Sequence, residues 1–206
     1  MGSLLHPVYF PNIRTMAHLA RGPVTWEVWD NYQKQTYRNR CYICADRGRQ
    51  MLNIPIRHTG KQNGRQLYRE VCPDNSYPWQ RQHWRGLQTA YRSAPFFEFY
   101  EADLEPLFTT RFESLLELNL ASTALLCDLL GLGMPQEQTE SYREEPEGLT
   151  DRRRLVDAKS DTGSGLRPYP QVFGERHGFI GNVSCLDLLF NEGPSAREYL
   201  LQLPIS

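Results

Sequence analysis

Leu4-Leu5-His6-Pro7-Val8-Tyr9-Phe10-Pro11-Asn12-Ile13-Arg14-Thr15-Met16-Ala17-His18-Leu19-Ala20-Arg21-Gly22-Pro23-Val24-Thr25-Trp26-Glu27-Val28-Trp29 decides the fold class. Leu4–Phe10 is apolar and runs into Pro11. Asn12 suits a helix N-cap, and Ile13, Met16, Ala17 and Ala20 continue as a helix until Gly22-Pro23 stops it. Val24–Trp29 is β-branched and aromatic, as strands tend to be. Strand, helix and strand at this spacing predict a βαβ unit, because parallel strands need a crossover between them. The expected fold is therefore α/β, a small and mostly parallel sheet with helices on both sides.

Beyond Trp29, Tyr37–Cys44 and Gln50–Ile56 read as two more strands, joined as a hairpin around Asp46-Arg47-Gly48. Thr59–Gly64 reads as a polar loop. Trp79–Arg92 reads as a helix: at about 100° per residue, Trp79, His83, Trp84, Leu87, Ala90 and Tyr91 fall within roughly 140° of arc. Phe112–Leu130 is a second helix, apolar over more than half its circumference and closed by Gly131, Gly133 and Pro135. Residues 136–167 are acidic and polar, with a glycine-rich stretch, and are expected to form a partly mobile excursion. Ser184-x-x-Asp187 and Ser195-x-x-Glu198 have capping-box spacing around Gly193-Pro194, so the C-terminal half is expected to be helical. At 206 residues, 40% of them hydrophobic, a single domain over 1–206 is the expectation.

The net charge of −1 argues against a nucleic-acid partner, which would call for a basic face. All but three of the 23 basic residues are Arg, the side chain that grips carboxylate or phosphate bidentately. Leu115–Leu132, the most apolar stretch, is broken by Glu117, Asn119 and Asp128, so no membrane insertion is expected. The opening residues lack a signal-peptide pattern, and five scattered cysteines make no disulfide framework; both point to the cytoplasm.

Few motifs carry chemistry. Cys41-Tyr42-Ile43-Cys44 has no second cysteine pair, and positions three apart on a strand face opposite ways, so no metal is expected. Asp161-Thr162-Gly163-Ser164-Gly165 leads into Arg167-Pro168 rather than a helix and reads as a plain loop. Arg152-Arg153-Arg154, following Glu144, Glu145 and Glu147, reads as a solvated, paired surface. Lys34-Gln-Thr-Tyr37-Arg38-Asn39-Arg40 is more pointed. As a strand it would place Arg38 and Arg40 on one face and Tyr37 and Asn39 on the other, a grip for phosphate or carboxylate or else a charge-protected edge. His83 sits inside the apolar arc of its helix, either as a satisfied core residue or as a general acid/base at a pocket rim. Asp187 is either a capping carboxylate or a partner that orients His83.

His6-Pro7-Val8-Tyr9-Phe10-Pro11, Lys34-x-x-Tyr37-x-Asn39-Arg40 with Ile54-Pro55, Trp79-x-x-x-His83 with Ala94-Pro95-Phe96-Phe97, and Asn182-x-Ser184-x-x-Asp187 with Gly193-Pro194 together resemble the WbqC-like protein family. The likeness runs from about Pro7 to about Tyr199. His6 departs from the family's usual Gln and carries no family role. The acidic pair usual before the lysine segment is only half present, as Asp30-Asn31. Some members are encoded among O-antigen genes, and the resemblance implies an acyl or aminoacyl (glycine) transferase acting on a sugar or sugar nucleotide of a surface polysaccharide. His83 would then be the base, oriented by Asp187, with Asn39 donating to the oxyanion. Lys34, Arg38 and Arg40 would hold phosphate, while Tyr9, Tyr37 and Trp79 would line the substrate. No cofactor is expected. The competing reading is a non-catalytic module that binds a sugar nucleotide, glycan or protein.

Overall fold

Four residues seed the sheet. In the computed structural model, which describes residues 2–57, 66–159 and 163–204, Gly2–Leu5 forms β1. Asn12 caps the helix α1 (Ile13–Arg21), accepting from the Thr15 backbone N–H at 2.9 Å. Ile13, Met16, Ala17 and Leu19 bury its inner face. After Gly22-Pro23 the chain returns as β2 (Val24–Trp26), parallel to β1, with Ser3, Leu4 and Leu5 opposite Val24, Thr25 and Trp26. The expected βαβ unit is there, with shorter strands. Pro7 has no N–H to give a ladder and Phe10 takes a left-handed φ of 39°, so Val8, Tyr9 and Phe10 leave the sheet and bury as irregular chain.

The expected hairpin forms with a later first strand and an earlier second one. Gln35 turns the chain at φ 65°, and β3 (Arg40–Ala45) pairs antiparallel with β4 (Gly48–Asn53). Gly48, at φ 99°, closes a turn that a side chain would strain. Tyr37, Arg38 and Asn39 lie in the preceding turn, not on a strand face. The helix α2 (Trp79–Tyr91) buries Trp79, His83, Leu87, Ala90 and Tyr91, as the periodicity predicts. Phe97–Thr109 is a further helix, α3, which contains Pro106 and which the sequence reading leaves unassigned. The core helix α4 (Leu115–Leu129) is capped by Ser114, whose hydroxyl accepts from the Glu117 N–H at 3.3 Å.

Within 136–167, Leu149–Asp151 forms β5, parallel to β1 on its other edge, with Gly2, Ser3 and Leu4 opposite Leu149, Thr150 and Asp151. The sheet order is β2-β1-β5. The short α5 (Gly174–His177) precedes α6 (Cys185–Glu192) and α7 (Ala196–Gln202), which leave the C-terminal half helical as expected. Between the last two, Gly193 presses on Phe96, where an added Cβ would meet the ring at 2.6 Å. Three parallel strands thus end together at one edge, where His6, Glu27 and Arg152 emerge. Ligands of open α/β sheets bind outside the carboxyl ends of strands.

Candidate functional site

His6 leaves β1 into this edge with its side chain 2% exposed. Its Nδ1 is 3.2 Å from the Glu27 carbonyl oxygen, and its Nε2 is 2.9 Å from Arg38 Nη2 and 3.2 Å from Asp30 Oδ2. Burial, aided by the Arg38 charge, pulls its pKa down to about 4. At neutral pH the ring is therefore uncharged, with Nδ1–H donating to Glu27 and Nε2 accepting from Arg38. Arg38 Nη2 also donates to Asp30 Oδ2 at 3.0 Å. Partial burial pushes the Asp30 carboxyl up, but His6 and Arg38 outweigh it and hold the pKa below the usual carboxylate value. Arg38 is itself fully buried under the Tyr68 ring, 5.2 Å from its centroid, with Nε and Nη1 unbonded.

These three groups lie on the floor of a cleft of about 370 Å³. Its rim carries Lys34, Arg154 and Lys159 against one carboxylate, Asp157, so cations are in excess there, and Asp151 and Arg153 form one side. Arg153 straps the preceding loop down. It donates from Nε and Nη2 to Asp151 at 3.0 and 2.7 Å and to the Arg143 and Glu144 carbonyls at 2.8 and 2.6 Å. Its other side approaches the buried Glu27 carboxylate at 4.0 Å. Across the Lys34–Gln35 turn lies a second cavity of about 560 Å³, walled by Tyr32, Arg40, Ile54, Pro55, Asp74 and Tyr77.

The residues singled out by sequence divide among these places. Lys34 and Arg38 reach the charged cleft, while Lys34, Asn39 and Arg40 line the second cavity. Arg38 and Arg40 thus serve different cavities instead of sharing one face, because the segment is a turn. Asn39 is occupied: its amide donates to Asn53 Oδ1 at 3.2 Å and to the Ile54 carbonyl at 3.0 Å, clamping the hairpin's end. Tyr9, Tyr37 and Trp79 are buried and present no face to a ligand. The Tyr37 hydroxyl accepts from Arg49 at 3.1 Å, and Trp79 Nε1 donates to Asn75 at 3.3 Å.

His83 is enclosed. Its Nδ1 is 3.0 Å from the Tyr9 hydroxyl and its Nε2 is 3.2 Å from the Asn53 carbonyl, while burial lowers its pKa to about 4. A neutral ring that donates from Nε2 and accepts at Nδ1 has no lone pair left for a substrate, so the geometry reads it as a core histidine. Asp187 does not meet it. The Asp187 carboxylate, fully buried, accepts from Tyr91 at 2.8 Å, Tyr169 at 2.6 Å and Gln171 at 2.7 Å. Nor is it a capping carboxylate, since the Ser184 N–H donates instead to Tyr42 O at 2.7 Å.

The sequence reading passed over His6, Asp30, Asp151 and Arg153. One signal for the first two was available: they follow the two strands of the predicted parallel unit, where such sheets bind ligands. Asp161 and Thr162 of the glycine-rich loop, and Thr59–Gly64, lie outside the described residues. Among the described residues no cluster of His, Cys, Asp or Glu is arranged to hold a metal. No helix among them is long and apolar enough to cross a membrane.

A model of the WbqC-like protein family matches residues 7–166. The chain is also 29% identical over 199 residues to the uncharacterized protein Rv1507c of Mycobacterium tuberculosis, covering 82% of this chain and 83% of that one. No solved structure matches.

Proposed function

The chain belongs to the WbqC-like protein family, and from that premise we propose that it transfers an acyl or aminoacyl group to an amino sugar carried on a phosphate or nucleotide, in surface-polysaccharide synthesis. The observation that carries this reading is the His6–Asp30–Arg38 cluster at the floor of a cation-rimmed cleft, at the carboxyl ends of three parallel strands. Lys34, Arg154 and Lys159 suit an anionic phosphate, and the ionised Asp30 suits the acceptor's ammonium. The bound ammonium first gives one proton to solvent; as the resulting amine nitrogen attacks the donor carbonyl, a C–N bond forms and the donor's leaving group departs with its electron pair. The proton lost by the amine passes to His6 Nε2, displacing the Arg38 N–H that occupies it. His6 thus takes the base role that the sequence reading gave to His83.

One observation favours the second reading, a binding module without chemistry. Both ring nitrogens of His6 are already bonded, and its pKa near 4 makes it a weak base at neutral pH. A thermal-shift panel of nucleotide sugars, acyl-CoAs and aminoacyl-adenylate analogues, followed by turnover assays on any ligand found, separates the two. A ligand at 100 times its Kd stabilises by about 2.7 kcal/mol, or roughly 5–10 °C for a domain this size. For a transferase, His6→Gln lowers turnover by roughly 10²–10⁴ while the thermal shift persists. For a binding module, no pair of substrates is turned over, and Arg154→Ala weakens the shift.

A further inference from the structure

The two cavities that meet at the Lys34–Gln35 turn are lined by opposite chemistry. The cleft presents His6, Asp30, Arg38, Asp151 and Arg153, with Val156 as its apolar wall. The second cavity sets Ile54, Pro55, Ile56 and the rings of Tyr32 and Tyr77 beside polar groups of which Arg40 and Asp74 are the charged pair opposite the turn. Apolar and aromatic walls with polar groups set between them are what small-molecule ring sites use, and about 560 Å³ lies within their usual range. Tyr77 stands at this cavity 60% exposed, an aromatic face that folding has left in water. The turn between the cavities is held in place: the Thr36 hydroxyl donates to the Gln33 carbonyl at 2.9 Å, and Thr36 bridges to Asp157. Lys34 and Gln35, both exposed, belong to both walls.

We propose that a nucleotide spans this turn, with its phosphates in the charged cleft and its base in the second cavity against Tyr77. Lys34 lies at the junction, where a phosphate and the sugar attached to it would pass. Arg40 supplies donors and the Asp74 carboxylate an acceptor for the edge of a base. Stacking on a tyrosine tolerates any base, whereas those two side chains would select among bases. This rests on the reading of the charged cleft as an anion site and names the class of molecule that occupies it.

Isothermal titration tests it, using pyrophosphate, the diphosphates of uridine, thymidine, cytidine, adenosine and guanosine, and the wild-type, Tyr77→Ala and Arg154→Ala proteins. Both substituted side chains are exposed, so the variants keep the fold. The expected result is that at least one nucleoside diphosphate binds more tightly than pyrophosphate. Tyr77→Ala should weaken that nucleotide roughly 5- to 100-fold, a loss typical of one base stack, and leave pyrophosphate unchanged. Arg154→Ala should weaken both. If pyrophosphate and all five nucleotides bind equally, or Tyr77→Ala leaves the nucleotides untouched, the base subsite is overturned while the anion cleft stands. Should neither pyrophosphate nor any nucleotide bind the wild type, the anion reading of the cleft fails, and the nucleotide with it.

Discussion

Asp30 and Asp187 are two carboxylates withdrawn from solvent, and the protein treats them in opposite ways. Asp187 is fully buried among the Tyr91 and Tyr169 hydroxyls and the Gln171 amide. Burial pushes its pKa up to about 6 although all three donors pull it down. Asp30 keeps 13% of its side chain in solvent and is held by the Arg38 guanidinium, with its pKa below the usual value. Neutral donors can tie a buried carboxylate down but cannot repay the loss of water around its charge. A cation can, and at a cleft it leaves the charge within reach of a ligand. The sealed cluster joins α2, α6 and the segment 169–171 into one body; the open one faces the solvent-filled edge of the sheet.

The largest expected effect is on the sealed side. Asp187→Ala leaves two hydroxyls and an amide without their acceptor, at about 1–3 kcal/mol each when buried. A loss of about 3–5 kcal/mol is expected by urea denaturation at pH 7, and a loss under 1 kcal/mol would break the contrast. Next comes pH. His6, His18 and His83 are each lowered from 6.5 to about 4, chiefly by burial. A folded pKa below the unfolded one gives stability that is complete above pH 6.5 and is lost as the pH falls toward 4. Asp187 works the other way, because its raised pKa gives stability that is complete below 3.8 and lost as the pH rises through about 6. Three histidines, at about 2.6 kcal/mol each, outweigh one carboxylate at about 2.3, so stability should fall by about 5 kcal/mol between pH 6.5 and 4. In Asp187→Asn the fall should be steeper, since the opposing proton uptake is gone.

On the open side, Arg38→Met should cost about 2 kcal/mol, less than a fully buried pair because Asp30 is partly wet. The same variant should weaken pyrophosphate binding at least tenfold in calorimetry. Unchanged binding would mean that the cleft's cations act only through the rim. The smallest effect belongs to His83→Gln. Glutamine can keep one of its two hydrogen bonds, so loss of the other should cost about 1 kcal/mol and leave ligand binding and any turnover unchanged. A large loss of turnover in that variant, still folded, would restore His83 as the base.

The legible parts of this molecule were those whose signals are local. The Asn12 cap, the Gly22-Pro23 stop and the Asp46-Arg47-Gly48 turn each act over a few residues, and α2 and α4 announce themselves by period. By contrast, α3 hides because Pro106 falls inside it, a residue that normally breaks a helix, and because Phe99, 74% exposed, lies off the arc that Phe97, Tyr100, Leu104, Leu107 and Phe108 share. Leu149–Asp151 is three residues long in an acidic stretch, and only its partner β1 makes it a strand. The same division holds at the site. Lys34, Arg38 and Arg40 were visible as a cation cluster, but which cavity each serves depends on the left-handed turn at Gln35. Arg153 reads as a surface charge because the Glu27 it approaches is remote in sequence. His83 was seen correctly as unusual for its place in an apolar arc, and the reason is packing.

The pairing of Gly2 with Leu149 also sets a schedule. A ribosome adding about 5–20 residues per second delivers β5 on the order of ten seconds after β1. Throughout that interval the nascent chain carries a half-finished sheet whose central strand has one flank of peptide groups unclaimed, the kind of edge that recruits other chains. The cleft does not exist before then either, since the wall from Asp151 to Lys159 is its last part to arrive. Chains cut short of Leu149 should therefore depend on chaperones and be poorly recovered, whatever the quality of the helices already made.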